Sequence, residues 1–161
     1  MSTRQRKNLP NINQRIRKFR VKSSHIGRKL IDGNPITSYL IEKLHLIGYQ
    51  YYNDKSTSFA ELRVEGITRT FWIHKEFLVL QSNFFHEIFN DKNIGTVIDI
   101  TVPSPGTFES ILEYLYDGNE EKWYDTFTTE NWHSVWENIS YLELGSKARA
   151  ICISFCENQI N

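Results

Sequence analysis

Alternation of apolar and polar residues decides the architecture first. Leu62 and Val64 alternate with Glu61, Arg63 and Glu65, and Glu65-Gly66 supplies a turn. Residues 67–73, Ile-Thr-Arg-Thr-Phe-Trp-Ile, alternate again and are rich in strand formers, so the two runs predict a hairpin. Residues 97–102, Val-Ile-Asp-Ile-Thr-Val, predict a third strand that Pro103 ends. Everything else apolar recurs at helical spacing. Three short strands cannot bury their apolar face alone, so the remaining helices must cover it.

Those helices announce themselves by their ends. Asn34-Pro35 is a cap followed by a residue pre-organised for the first helical turn. Ile36, Leu40, Leu44 and Ile47 follow as a stripe, and Gly48 is read as its stop. Residues 77–80 and 84–89 form two short apolar helices divided at Ser82-Asn83. Ser104-Pro105 repeats the start signal ahead of Phe108, Ile111, Leu112 and Leu115, and Asp117-Gly118 closes that stripe. Residues 119–128 are read as a polar, aromatic loop. Trp132, Val135, Trp136, Ile139 and Leu142 make the next helix, broken by Gly145, and Ala148, Ile151, Cys152 and Phe155 the last. Strands fall early and helices late, so the class is α+β.

Charge divides the chain differently. The formal net charge is zero, from 19 basic and 19 acidic residues. Residues 1–31 hold ten basic residues and no acidic one; from Asp32 onward all 19 acidic residues face nine basic ones. The neutral total is the sum of a +10 arm and a −10 remainder. The arm carries Arg4, Arg6, Lys7, Arg15, Arg17, Lys18, Arg20 and Lys22 with few apolar residues between them, too few to offset the entropy of ordering. It is expected to be a flexible tail over residues 1–33, ahead of a domain at 34–160. A solvated tail, a nuclear-import signal and an arm on nucleic acid or acidic lipid are the readings open to it.

Reactive patterns are missing. The eight glycines never cluster into a phosphate loop, and no HExxH, G-x-S-x-G or zinc spacing of His and Cys occurs. His25, His45, His74, His86 and His133 are dispersed. Cys152 and Cys156 make no disulfide framework and are read as small buried hydrophobes. Asn138-Ile139-Ser140 matches a glycosylation sequon inside an amphipathic helix and is discounted. No apolar run reaches membrane-spanning length and none resembles a leader core, so an intracellular location is expected. No enzyme activity, catalytic residue, metal, cofactor or small-molecule substrate is expected.

Residues 74–89 are the specific stretch. His74-Lys75-Glu76-Phe77-Leu78-Val79-Leu80-Gln81-Ser82-Asn83-Phe84-Phe85-His86-Glu87-Ile88-Phe89, after a hairpin, resembles the His-Lys-x-x-Leu-x-x-x-Ser-x-x-Phe-x-x-x-Phe pattern of the BTB/POZ family. Residues 108–118 resemble that family's following helix, and residues 132–155 its closing pair. The resemblance implies a BTB/POZ-like α+β fold: a small three-stranded sheet flanked by a cluster of short helices. It implies family positions at Glu61, His74, Lys75, Leu78, Ser82, Phe85 and Phe89. Glu61 stands where members carry Asp, which implies a Glu61–Lys75 ion pair.

Two roles are implied by the same resemblance. Family dimers use an extra N-terminal helix, so Tyr39, Leu40, Ile41, Leu44 and Ile47 are the candidates for self-association into a homodimer. The alternative is that this helix packs only on its own domain. Members that act as adaptors for a cullin-type ubiquitin ligase carry an apolar-x-Glu element after the position of Phe89. Here His86, Phe89, Asn90 and Ile94 are the candidate cullin contacts, but Thr96 or Gly95 replaces the Glu. A third role joins a dimerising nuclear factor to a tail on nucleic acid.

Overall fold

The computed structural model describes residues 34–161. The basic segment and its expected boundary at residue 33 lie outside the described residues. Helix α1, Pro35–Tyr51, starts as its sequence predicts: the Asn34 carboxamide accepts from the Ile36 N–H at 2.9 Å. A connector leads to β1, Ala60–Val64, and β2, Phe71–Ile73. Two short helices follow, α2 at Lys75–Val79 and α3 at Asn83–Phe89, then β3 at Thr96–Ile100. A 3-10 turn at Pro105–Thr107 runs into α4, Phe108–Asp117. The chain closes with α5, Glu120–Tyr124, α6, Trp132–Tyr141, and α7, Ser146–Ile160.

The sheet order is β2-β1-β3. β1 pairs antiparallel with β2 (Leu62 opposite Phe71) and parallel with β3 (Leu62 opposite Ile98). The hairpin is therefore present, but its second strand is shorter than the alternation from Ile67 suggested. Gly66 takes a φ of +88°, and Arg69 reaches away from the ladder to Glu109 on α4, with its guanidinium over the Phe71 ring. Side chains alternate across the sheet as its pleat requires. Leu62, Val64, Phe71, Ile73, Ile98 and Ile100 point into the core, and Arg63 and Asp99 into solvent. The Phe71 ring meets Phe108 edge-on at 5.7 Å, which places α4 against the sheet.

Three further expectations are corrected. Gly48 does not stop α1, which runs on to Tyr51. It is glycine because α1 crosses the end of α4 there, and a Cβ would lie 1.8 Å from the Tyr116 carbonyl oxygen. Residues 119–128 are not all loop: Asn119 accepts from the Lys122 N–H at 3.0 Å and starts α5. That helix buries Trp123, stacked on Tyr114 at 4.2 Å, so an aromatic anchor lay inside an apparently polar stretch. Ser104 gives no side-chain cap; instead the buried Asn138 carboxamide accepts from its N–H at 3.0 Å and donates to its C=O at 2.6 Å.

The rest of the helical reading holds. Gly118 ends α4 in the left-handed region, with its N–H on the Tyr114 carbonyl at 2.8 Å. Ala148, Ile151, Cys152 and Phe155 all face the core from α7, while Cys156 is only half-buried. No helix among the described residues is long and apolar enough to cross a membrane.

Candidate interaction surface

The family positions form a structural lattice. His74 is 3% exposed and caps no helix with its side chain. The Tyr116 hydroxyl accepts from the His74 backbone N–H at 2.8 Å and stands 2.9 Å from Nδ1. The Thr57 hydroxyl lies 2.8 Å from Nε2 and donates to Asp54 at 3.0 Å. One proton arrangement satisfies every member: Tyr116 donates to Nδ1, and Nε2–H donates to Thr57. Burial lowers the His74 pKa against the weaker pull of Glu76 and Asp54, which keeps the ring neutral. Donors from Ser56, then Thr57, hold the Asp54 carboxyl below its ordinary range.

Ser82 is fully buried at the junction of α2 and α3. Its hydroxyl accepts from the Phe85 N–H at 3.2 Å, as expected of a cap, and also donates to the Leu142 carbonyl at 2.6 Å. Leu78, Phe85 and Phe89 are core residues, 0%, 0% and 1% exposed. Phe89 is thus buried in the core rather than exposed, contrary to its place among the cullin contacts. Glu61 does not pair with Lys75. It reaches along its own strand face to Arg63 at 2.9 Å, while Lys75 lies over the Phe59 ring.

The contacts that tie α1 down have no signature in residue spacing. Gln81, 8% exposed, donates to the carbonyls of Phe77 (2.7 Å) and Leu115 (2.6 Å) and stands 3.1 Å from His45 Nε2. The His45 ring presses on the Cα side of Gly118, where any Cβ would collide. Burial is the largest influence on His45 and lowers its pKa. These links fix which side of α1 faces in. Thr37, Ile41, Leu44, His45 and Gly48 turn inward, Leu44 packing onto the core.

The outward side is apolar. Ile36, Leu40 and Ile47 share one stripe and are 71%, 44% and 40% exposed, with Tyr39 and Leu46 along its edge at 57% and 69%. Lys43 interrupts the stripe, but its amine leans over the Tyr39 ring at 5.3 Å. The five candidates for self-association therefore separate: Tyr39, Leu40 and Ile47 face solvent, Leu44 packs on the domain's own core, and Ile41 is half-buried beside a cleft. Ile36, Leu46 and Tyr49 belong to the exposed set and were not among them. A second apolar point is Ile94, 81% exposed between α3 and β3, with Asn90 exposed and His86 half-buried nearby in sequence. Among the described residues no group of His, Cys, Asp or Glu is placed to hold a metal.

Comparison with known proteins agrees with this architecture. A family model for the BTB/POZ domain matches residues 50–159. Among solved structures, the chain is similar to the BTB domain of zebrafish PATZ1, with a TM-score of 0.58 and 20% identity, covering 78% of this chain and 98% of that one. That likeness shows the fold. No curated protein matches. The family match spans more than half of the sequence and includes the His74–Tyr116 lattice and the sheet, and on that basis the chain belongs to the BTB/POZ domain family.

Proposed function

We propose that this chain, as a BTB domain a module for protein–protein interaction, pairs with a second copy of itself through the outer face of α1. The stripe of Ile36, Leu40 and Ile47 carries the reading. Burying apolar area is favourable at about 25 cal/mol per Å², and a contiguous uncovered patch on a folded domain marks a contact surface. A helix face meeting its own copy is self-complementary about a two-fold axis, so one patch suffices. The His45–Gln81 links support this by holding α1 rigidly on α2 and α4, so little order is lost on pairing.

The test is Leu40→Glu combined with Ile47→Glu. Both side chains are substantially exposed, so the fold should persist and the circular dichroism spectrum should not change. The double variant is expected to elute as a monomer where the parent is a dimer. Association equal to the parent's would place the interface elsewhere. Leu44→Glu is unsuitable, because Leu44 packs on its own core.

A second reading, adaptor for a cullin scaffold, is favoured by one observation: Ile94 is 81% exposed on the loop after α3. Capture of the chain by a purified cullin that is lost in Ile94→Asp would support it; no capture would remove it.

A further inference from the structure

We propose that the groove between α5 and α7 receives an amphipathic helix of a partner protein, which sets an apolar side chain on Tyr124 and Ile151 and a lysine or arginine against Glu121. The groove has a volume of about 510 Å³, with Glu121 and Tyr124 of α5 on one side and Ala150, Ile151 and Ser154 of α7 on the other. No residue of α1 lines it, so this surface is separate from the one assigned to pairing.

Two cross-links hold the walls in place. Lys147 Nζ meets the Glu120 carboxylate at 2.6 Å toward one end, and Asn158 donates to the Tyr124 hydroxyl at 3.0 Å toward the other. Between Lys147 and Asn158 α7 rises about 16 Å, or three turns of a helix. Buried Trp123 anchors α5, and the Tyr124 ring stands edge-on to Phe155 at 5.4 Å, so the groove is formed before any partner arrives. On the α7 side Ala150 and Ser154 are exposed one turn apart beside Ile151. Side chains that small let a second helix lie close against α7.

Charge selects the occupant. From Asn34 onward the chain carries 18 acidic and nine basic residues, a net charge of −9. The two lysines at α5 are already engaged: Lys147 with Glu120, and Lys122 with Glu113 at 2.8 Å and Asp117 at 3.1 Å. Glu121, exposed on the groove wall, pairs with no cation among the described residues. An apolar face with a cation beside it complements both the floor and the rim, whereas an acidic one is repelled. Both walls are helices and offer no strand edge. An extended peptide would find no ladder there for its backbone groups, while a helix satisfies its own.

Amide NMR titration of the full, isotopically labelled chain tests the assignment. The probe is an alanine-rich helical peptide with leucines one turn apart and a lysine beside them; its twin carries glutamate in place of the lysine. The lysine peptide should shift the Ala150, Ile151 and Ser154 amides and leave that of Leu62, buried in β1, unmoved. Its affinity should fall about fivefold in Glu121→Lys, the scale of an exposed ion pair removed and reversed. Ala150→Trp, which fills the groove from an exposed position, should abolish the shifts. Equal affinity for the two peptides, or unchanged affinity in Glu121→Lys, overturns the proposal, as does the absence of any shift. Shifts at Ala150 and Ser154 that grow with chain concentration alone give the groove to a second copy's α1, which carries Lys43 between Leu40 and Ile47, and also overturn it.

Discussion

Gly48→Ala offers a sharp test of how α1 sits on the domain. In an open helix this change is favourable by about 1 kcal/mol, because alanine loses less backbone entropy than glycine. Here the added Cβ would lie 1.8 Å from the Tyr116 oxygen and 2.5 Å from its carbonyl carbon. Both are backbone atoms at the end of α4 and cannot turn aside as a side chain would. Relief requires α1 to withdraw by more than an ångström, which loosens the Tyr51–Phe77 ring contact at 5.9 Å and the His45–Gln81 hydrogen bond. Overpacking costs about 1–3 kcal/mol, and a backbone obstacle belongs at the upper end. Subtracting the propensity gain leaves about 2 kcal/mol of destabilisation. For a folded unit of roughly 130 residues the unfolding entropy is about 0.27 kcal/mol/K, so Tm should fall by about 7 °C. Thermal melts followed by circular dichroism read this directly, with Gly106→Ala as the control, since a Cβ there meets nothing within 4 Å. A Gly48→Ala protein melting at or above the parent's temperature would refute the close approach of α1 to α4.

Other perturbations test other joints. Ser82→Ala removes a cap and leaves the Leu142 carbonyl without its partner, so urea unfolding should show a loss of about 2–3 kcal/mol. Asn138→Ala strips three bonds from a residue that is 0% exposed and should cost at least about 3 kcal/mol by the same measurement. Its sequon should also stay unmodified in the folded chain when glycosylation is checked by mass, because the carboxamide is occupied. The pH dependence follows from His74 and His45, whose folded pKa values lie below the ordinary 6.5. The unfolded chain then binds more protons, so stability is full above about pH 7 and declines as pH drops through 6.5, with Asp54 adding a further loss below its ordinary 3.8. Melts at successive pH values that stay level down to pH 5 would contradict buried, neutral histidines.

The elements legible in sequence were those fixed by local chemistry. Asn34 and Gly118 mark helix ends through one side chain or one dihedral, and the pattern around Leu62 exposes a strand by its period. What stayed hidden depends on residues far apart in the chain. The Ile36–Leu40–Ile47 stripe looks like a core face, because a helix period says which residues share a side but not which side turns in. Gly48, His45 and Gln81 decide that, through contacts with α4 that no spacing encodes. Gly48 also misled as a helix stop, since a glycine chosen for close approach and one chosen for termination look alike. Likewise His74 stood out only as one of five dispersed histidines and as a family position, and only the fold shows Tyr116 and Thr57 on its two nitrogens. The family motif is a folding signature, and the exposed face of α1 lies outside it.

Sedimentation equilibrium of the full chain at micromolar concentration tests the central claim most directly. Pairing through α1 predicts a mass of twice 19.0 kDa that falls back to 19.0 kDa in the Leu40→Glu, Ile47→Glu protein. A parent chain that stays at 19.0 kDa throughout would contradict it.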